Sequence, residues 1–530
     1  MTGRDPLGLS RVSSIITDYL LTGIITTTDR ARYYSFYCWA LWHIENEEKP
    51  SKYQIFVDEF RKREAAMALA TIANNPATSP VGVEATRMEF DRGSEKREFN
   101  CDFRVLPSNP LGGYGQYYSG SLYELGLTYR PEDGIDRVTS GTAEILAGLF
   151  HTSIDKTPYI KNKCFKNRHL SLNDLQKAKT FLTLDALSEP FAKEERQKLR
   201  EIFLGLNEKM SHDRTILRRN TLSQILYIIF EYERYDIHPN SKEIDWYIVY
   251  PTYYYGILRT KNDKSIPYKC PEIFSICRSL WRQYCLQQFL SQAIEILLFS
   301  VLQLVGNESS GLTIDEIISN LLQPDFFSNL KELTGKPCSK PHELLERLGI
   351  DNLPNEALSL KLQKTYAYYH PISEAQVLNL EKSSPESLAS ISILILALLY
   401  GKWRGIKQDV GFAYVANHAG SELWAGIILP YLDSWLEKET SWDASFRTIL
   451  ETFILDQHDR IMYEKRRLDS CWLHRTEGRI LKDQDYEPAW RSSRHINSVK
   501  ILSDLGFLEI STDGLISITS DGKKILKGIE

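Results

Sequence analysis

Metal-binding and redox signatures are scarce in this sequence of 530 residues. Its eight cysteines contain no C-x-x-C pair, and Cys270, Cys277 and Cys285 lack the spacing of a tetrahedral zinc site. Reduced thiols in the core of a cytosolic protein are the simpler interpretation. The glycine-rich stretch 109–120 fits neither the G-x-G-x-x-G pattern nor the P-loop. The sequence therefore predicts no metal and no cofactor.

Excess positive charge and long apolar runs are missing as well. The net charge is −5 and the isoelectric point is about 6.2, so any contact with nucleic acid must come from a local patch. The most apolar runs, 294–305 and 388–400, are shorter than the ~20 residues that span a bilayer. The N-terminal residues have no secretory signal pattern. We therefore expect buried helices, a cytoplasmic protein and no membrane partner.

Most of the apolar residues recur with helical periodicity. Hydrophobic residues make up 42% of the chain, which is enough for a large core. We expect a mainly α protein, with a multi-helical body and a C-terminal winged-helix (α+β) domain. Four segments are predicted: an aromatic-rich helical segment at 1–75, an irregular Gly/Tyr-rich loop region at 76–135, a helical body at 136–440, and a long helix plus winged helix at 441–530. Apart from the terminal hairpin, the only β signal is a strand at 246–249.

The C-terminal stretch carries the clearest local pattern. An apolar stripe at three-residue steps predicts a helix, Gly506 suits the end of that helix, and two strands flank a turn at 512–514. A last short helix is predicted at 522–527. Helix, hairpin and short helix is the order of a winged helix, which either reads DNA or docks on another protein. The stripe consists of Ile496, Val499, Leu502 and Leu505.

Polar residues off this stripe are the candidate DNA-binding residues: Arg491, Arg494, Asn497 and Lys500. Arginine and asparagine suit base edges, and lysine suits a phosphate. However, residues 470–530 hold 9 Lys+Arg and 9 Asp+Glu, so the module is neutral. Because phosphate contacts dominate the affinity for DNA, a neutral module favours docking on protein, with double-stranded DNA as the alternative partner.

A second basic region lies in the helical body. Residues 155–220 hold 15 Lys+Arg against 9 Asp+Glu, with a local run at Lys161, Lys163, Lys166 and Arg168. These four residues are further candidates for contact with DNA. The alternative is an ordinary solvated face, which is the more common role of such a run.

Arginines and tyrosines also follow one another in a helix predicted at 30–42. Arg30 and Arg32 beside Tyr33 and Tyr34 are interpreted either as contacts to nucleic acid or a partner, or as core residues whose arginines pair with acids. The loop at 109–120 also has two interpretations. Its glycines and tyrosines either hold a phosphate or a base, or they form a structured turn whose tyrosines pack on a neighbour. We favour the packing interpretation in both places.

A strong catalytic motif is also missing. Asp456, His458 and Arg460 lie within five residues, but an ion pair between Asp456 and Arg460, one helical turn apart, is the simplest account. A nuclease-like acid–acid–lysine set would need a strand, whereas the surroundings predict a helix at Asp325, Glu332 and Lys336. We therefore expect a protein that is not an enzyme. The alternatives are an autonomous winged-helix DNA-binding regulator and a metal-dependent nuclease with an unrecognised site.

The stretch 30–36 (Arg-Ala-Arg-Tyr-Tyr-Ser-Phe), together with the C-terminal pattern, resembles helical accessory subunits encoded in bacterial anti-phage defence operons. Systems with an SMC-type ATPase, such as Lamassu or Wadjet, are the nearest class. The resemblance implies a non-catalytic scaffold or sensor subunit that docks on an ATPase or nuclease of the same operon.

In kleisin-like subunits of such systems, an N-terminal helical part and a C-terminal winged helix touch different ATPase heads. The resemblance thus implies two partner surfaces here, the N-terminal helices and residues 443–530. The candidate partner-binding residues are Arg30, Arg32, Tyr33, Tyr34 and Phe507. This chain departs from a kleisin because its long middle is predicted to be well packed and not a flexible linker, which puts the bridging role in doubt.

Overall fold

The computed structural model describes residues 5–50, 52–206, 213–260, 265–348, 373–380, 384–403, 409–420, 422–436, 438–465 and 471–527. Helices account for 65% and strands for 7%, which confirms the prediction of a mainly α protein. The chain divides into two compact units. Unit 1 consists of residues 1–17 and 245–493, and unit 2 consists of residues 18–244 and 494–530. These divisions fall at other positions than those between the four predicted segments.

Unit 1 is built on two long apolar helices that pack on each other, Ser275–Gly306 and Pro385–Trp403. Both are long and apolar enough to cross a membrane, but 78% and 94% of their most apolar windows are buried inside the protein. They are core helices, consistent with a soluble protein. The other helices of unit 1 are Ile314–Leu321, Pro324–Thr334, Glu343–Arg347, Glu374–Leu378, Val410–Ala419, Ala425–Leu436, Trp442–Ile449, Asp456–Glu464, the 3-10 helix Glu272–Phe274 and the start of Ser10–Leu20.

Two segments of unit 1 are π-helices, Asp245–Tyr255 and Leu450–Leu455. The strand predicted at 246–249 is wrong, because this segment winds into the first of them. The predicted helix that begins after Ser441 is present: the Ser441 side chain accepts a hydrogen bond from the amide of Ala444, and helical turns continue to Glu464. This helix belongs to unit 1, whereas residues 494–530 belong to unit 2.

Short strands are more numerous than the sequence predicts. In unit 1, Ile257–Arg259 pairs with Ser265–Pro267, and Arg479–Lys482 lies between Leu312–Thr313 and Leu473–Thr476, all antiparallel. In unit 2 the antiparallel pairs are Glu98–Asn100 with His169–Ser171, Thr128–Tyr129 with Arg137–Val138, and Leu508–Ile510 with Ile516–Ile518. The sequence predicts none of the strands outside the terminal hairpin, since strands of two to four residues give too short a periodic signal.

Unit 2 combines N-terminal helices with the C-terminal segment. The helix His495–Asp504, the hairpin Leu508–Ile510 and Ile516–Ile518, and the helix Ser520–Ile525 follow in the predicted order. The other α-helices are Arg32–Glu47, Tyr53–Asn74, Val83–Lys96, Ser119–Glu124, Thr142–Ile154, Pro158–Lys161, Leu172–Leu182, Lys193–Leu204 and Asp213–Glu233. Single turns are the π-helix Tyr114–Tyr118 and the 3-10 helices Cys164–Lys166, Leu184–Ser188, Pro190–Ala192 and Ser241–Glu243.

The glycine-rich loop wraps around a buried carboxylate of unit 2. Glu64 is 4% exposed and accepts hydrogen bonds from the Tyr37 hydroxyl at 2.8 Å and from the Gly113 amide at 2.9 Å. Gly112 has φ of +53°, and a Cβ there would lie 1.8 Å from a Glu64 oxygen, so no side chain fits. Tyr114 and Tyr118 are fully buried. The loop is therefore the predicted structured turn, and its amides hold the protein's own carboxylate.

Burial raises the pKa of Glu64 to about 7, against its ordinary 4.5. The folded protein therefore binds this proton more tightly than the unfolded chain does. The contribution of Glu64 to the stability of unit 2 is complete below about pH 4.5 and is lost as the pH rises to about 7. The loss is on the order of 3 kcal/mol. We expect Glu64→Gln to flatten this part of the stability profile, measured by urea unfolding between pH 4.5 and 7. An unchanged slope in the variant contradicts the assignment.

Candidate functional site

The predicted DNA-reading residues of the C-terminal helix His495–Asp504 are engaged within unit 2. Arg494 is 8% exposed, donates to the carbonyl of Ile24 at 3.0 Å and forms an ion pair with Asp18. Asn497 is 5% exposed and donates to the carbonyl of Thr26 at 3.1 Å. In this conformation neither side chain can reach a base edge, because both polar ends are used inside the fold.

The other two candidates are also paired. Lys500 is exposed, and its amino group lies 2.7 Å from an oxygen of Asp29. Arg491 belongs to unit 1, where its guanidinium forms an ion pair with the fully buried carboxylate of Glu295. Each of the four residues therefore has a partner within its own unit.

Arg30 joins the start of the N-terminal helix Arg32–Glu47 to the C-terminal helix. Its guanidinium lies 3.0 Å from Asp504 and 2.9 Å from Asp185, and Asp504 also accepts a hydrogen bond from the amide of Ala31 at 2.9 Å. Burial raises the pKa of Asp504, and the charge of Arg30 opposes this rise. Residues 30–31 and 504 thus form a clamp that holds the C-terminal segment in unit 2.

The remaining candidate partner residues are inside unit 2. Arg32 is fully buried against Glu195 at 3.2 Å, Tyr33 is 4% exposed, and the Tyr34 hydroxyl donates to the carbonyl of Gly23 at 2.6 Å. Phe507 is 2% exposed. These side chains pack the fold and present no surface to a partner, in agreement with the core interpretation of the N-terminal helix.

The basic run Lys161, Lys163, Lys166 and Arg168 is exposed. Three of these cations lie near acids at distances of 3.1 to 3.8 Å, Lys163 with Glu47, Lys166 with Glu48 and Arg168 with Asp102. Surface pairs of this kind contribute about 0–1 kcal/mol, so the cations remain available to another anion.

A cleft that the sequence did not point to lies beside the C-terminal helix Ser520–Ile525. Its volume is about 360 Å³, and the helix Lys193–Leu204 forms its main wall. The lining residues are Leu149, Lys193, Glu194, Arg196, Gln197, Lys198, Arg200, Glu201 and Asp521. The available signal was the pair of arginines four residues apart within the basic region 155–220, which places both on one helix face.

Two guanidinium groups meet in this cleft. Arg200 donates to the carbonyl of Leu505 at 2.7 Å, lies 3.0 Å from Asp521 and covers the ring of Phe507 at 4.6 Å. Arg196 makes no hydrogen bond or ion pair with any residue that the structure describes. A Cβ on Gly506 would lie 3.0 Å from a nitrogen of Arg200 and 3.6 Å from a nitrogen of Arg196, so both groups border the same glycine.

Four cations and three carboxylates line the cleft, so its net charge is positive and favours an anion; they are Lys193, Arg196, Lys198 and Arg200 against Glu194, Glu201 and Asp521. Burial, together with the charge of Arg200, lowers the pKa of Arg196. Asp521 offsets part of the positive charge, but it is shared between Arg200 and Lys524. Arg200 is fixed by its three contacts, whereas Arg196 is free to bind a carboxylate or phosphate with two parallel hydrogen bonds. The cleft, here called the arginine cleft, is the candidate functional site.

The candidate catalytic residues Asp456, His458 and Arg460 form ion pairs or are buried in the core. The predicted pair of Asp456 and Arg460 is not formed: Arg460 binds Glu464 at 2.8 Å, and Asp456 binds Arg475 at 3.0 Å. His458 is 1% exposed, and burial lowers its pKa, so it stays neutral in the core. Among the described residues, no group of three His, Cys, Asp or Glu side chains is placed to hold a metal ion.

No protein-family model matches the chain, no curated protein is similar to it in sequence, and no solved structure is similar to it in fold. The comparisons therefore find no enzyme family.

The clamp predicts a local loss of stability. Asp504→Ala removes the carboxylate that Arg30 and the amide of Ala31 share, so we expect the opening free energy of the C-terminal helix to fall by about 2 kcal/mol. Hydrogen–deuterium exchange of residues 495–505 measures this change. Asp513→Ala, in the exposed hairpin turn, is the control and should leave the exchange unchanged. Equal exchange in both variants contradicts the clamp.

Proposed function

We propose that the protein is a non-catalytic scaffold or sensor subunit of a multiprotein complex, in which unit 2 docks on an acidic surface of a partner protein. The single observation that carries the proposal is the arginine cleft, where Arg196 lies beside Arg200 and has no acceptor among the described residues. The sequence resemblance to accessory subunits of anti-phage or anti-plasmid defence operons supports a cytoplasmic ATPase or nuclease of the same operon as the partner.

Adjacent guanidinium groups favour a carboxylate between them. Arginine is enriched at the centres of protein interfaces, where its flat donor group binds carboxylates in a fixed geometry. The cleft is built for this use, because Arg200 is held by the Leu505 carbonyl, by Asp521 and by the ring of Phe507.

The C-terminal helix and hairpin serve in this proposal as a winged-helix docking block and not as a DNA reader. Arg494 and Asn497, which would contact bases, donate to backbone carbonyls of residues 24 and 26. Phe507 and Asp521, by contrast, help to build the arginine cleft. This division of roles favours contact with protein.

The experiment is affinity purification of the tagged full-length chain from its native operon, followed by mass spectrometry and native mass determination. We expect a stoichiometric partner, and we expect Arg196→Ala to weaken its binding about tenfold or more, as truncation of a central interface arginine does. Arg104→Ala, an exposed arginine elsewhere in unit 2, is the matched control. Recovery of the chain alone, or turnover of a nucleotide or nucleic acid by the isolated protein, contradicts the proposal.

A second function, binding of double-stranded DNA, is favoured by one observation. The basic run at 161–168 is exposed, and its ion pairs are the weak kind found on surfaces. Lysine and arginine side chains so placed can contact phosphates without reading sequence.

The salt dependence of binding tests this second function. We expect Lys163→Ala with Arg168→Ala to weaken duplex binding at low salt and to reduce the slope of log K against log salt by about two, one for each lost phosphate contact. Lys242→Ala is the control, since Lys242 is exposed in unit 2 and lies outside the run. Unchanged affinity and slope in the double variant rule out the run as a DNA-binding site.

A further inference from the structure

The π-helix Asp245–Tyr255 of unit 1 is an unusual element with an aromatic sequence, Asp-Trp-Tyr-Ile-Val-Tyr-Pro-Thr-Tyr-Tyr-Tyr. π-Helical turns are rare, are mostly single-turn bulges and are frequent at functional sites. This one spans 11 residues. Because its hydrogen bonds connect residues five apart, side chains four or five positions apart share a face. Trp246, Tyr250 with Pro251, and Tyr255 are so spaced.

This face forms one wall of a pocket of about 250 Å³. The pocket is completed by Arg259, which ends the strand after the π-helix, and by Ala375 and Asn379 of the segment around the helix Glu374–Leu378. All of these residues belong to unit 1. The wall is therefore aromatic. Among the lining residues that the structure describes, Arg259 is the one cation and Asn379 the one amide.

The aromatic wall is held rigidly. Tyr254 and Tyr255 donate hydrogen bonds to the two oxygens of Glu374, at 2.8 and 3.1 Å, and Lys402 binds the same carboxylate at 2.6 Å. Glu374 is fully buried and Lys402 is 4% exposed, so this pair is protected from water. The position of Tyr255 in the wall is fixed before any ligand arrives, which lowers the cost of binding.

Trp246 and Tyr250 are supported from another direction. Their ring centroids lie 4.7 Å apart, and the ring of Trp490 contacts Trp246 at 5.7 Å and Tyr250 at 5.1 Å, edge to face. Tyr250 is 3% exposed, whereas Trp246 is only half-buried. Trp246 is thus a supported ring with part of its surface open.

The lining defines the ligand chemistry. Open aromatic surface binds planar rings by stacking. The Asn379 amide is exposed and offers both a donor and an acceptor to a ring edge, and Arg259 supplies a positive charge. The seven lining residues that the structure describes include no carboxylate, so an anionic group is not repelled there. The volume lies near the lower limit of small-molecule sites, which favours a small ligand.

We propose that this pocket binds a nucleoside monophosphate, with its base on Trp246 and its phosphate at Arg259. The inference goes beyond the docking proposal and stands without it, because the pocket lies in unit 1 and the arginine cleft lies in unit 2.

The test uses the full-length protein and titration calorimetry with AMP, GMP, CMP and UMP and with the four nucleosides that lack the phosphate. We expect at least one monophosphate to bind. Trp246→Leu should weaken binding roughly tenfold or more, since it removes the stacking surface and keeps an apolar side chain. Trp246→Phe should restore part of the affinity. Arg259→Gln should weaken binding of the monophosphate and leave binding of the nucleoside unchanged.

The control is Tyr123→Leu, which removes a tyrosine of unit 2 that is 66% exposed and should leave binding unchanged. Unfolding midpoints equal to that of the unsubstituted protein show that the variants are folded. Failure of all four monophosphates to bind at millimolar concentration overturns the proposal. Binding that survives Trp246→Leu and Arg259→Gln but is lost in Arg196→Ala also overturns it, since the phosphate then occupies the arginine cleft.

Discussion

A charge that leaves water must be paired inside the protein, and this requirement fixes how distant parts of the chain meet. In unit 2, the fully buried Arg32 pairs with Glu195, which lies 163 positions later. In unit 1, Lys402 pairs with Glu374. Burial is the largest single effect on the pKa of Glu374 and raises it, but the charge of Lys402 and the hydrogen bonds from Lys402 and Tyr254 together lower it below its ordinary value. Removal of one partner from such a pair costs about 3–5 kcal/mol, so packings that separate the partners are excluded.

The same requirement separates structural arginines from those that are open to a ligand. Arg30, Arg32 and Arg494 each have a carboxylate partner within unit 2, and each also donates to backbone carbonyls. Arg196 differs because it is half-buried beside the cation Arg200 and has no acceptor among the residues that the structure describes. Residue type and sequence neighbourhood do not distinguish these cases; the partners do.

Local signals in the sequence therefore predict the C-terminal helix and hairpin, but they predict neither the π-helix at Asp245–Tyr255 nor the sites. Ser441 caps its helix as predicted, and Gly506 takes φ of +75° at the end of the C-terminal helix, since both effects act within a few residues. The partner of Arg30 lies 474 positions away. The π-helix was taken for a strand at 246–249 because aromatic and β-branched residues favour strands locally, whereas packing in unit 1 decided its winding.

Each of the two units is built from separate stretches of the chain. It passes between the units at three positions, after residues 17, 244 and 493, so neither unit is continuous in sequence. The terminal hairpin depends on this path: the amide of Ile518 donates to Glu233 at 2.7 Å, and that of Ile516 donates to the carbonyl of Pro239 at 2.9 Å. A C-terminal fragment cut out at the predicted boundary of residue 441 would lose these acceptors and the clamp to Arg30.

The C-terminal segment therefore acts as part of unit 2 and not as a tethered module. A kleisin-like subunit presents its N-terminal helices and its winged helix to different heads, whereas here residues 18–75 and 494–527 share one compact unit. A partner that binds the arginine cleft would contact the helix Lys193–Leu204 and Asp521 of the C-terminal segment at the same time. Because the clamp holds that segment in unit 2, loss of the clamp would disturb the side of the cleft that Asp521 forms.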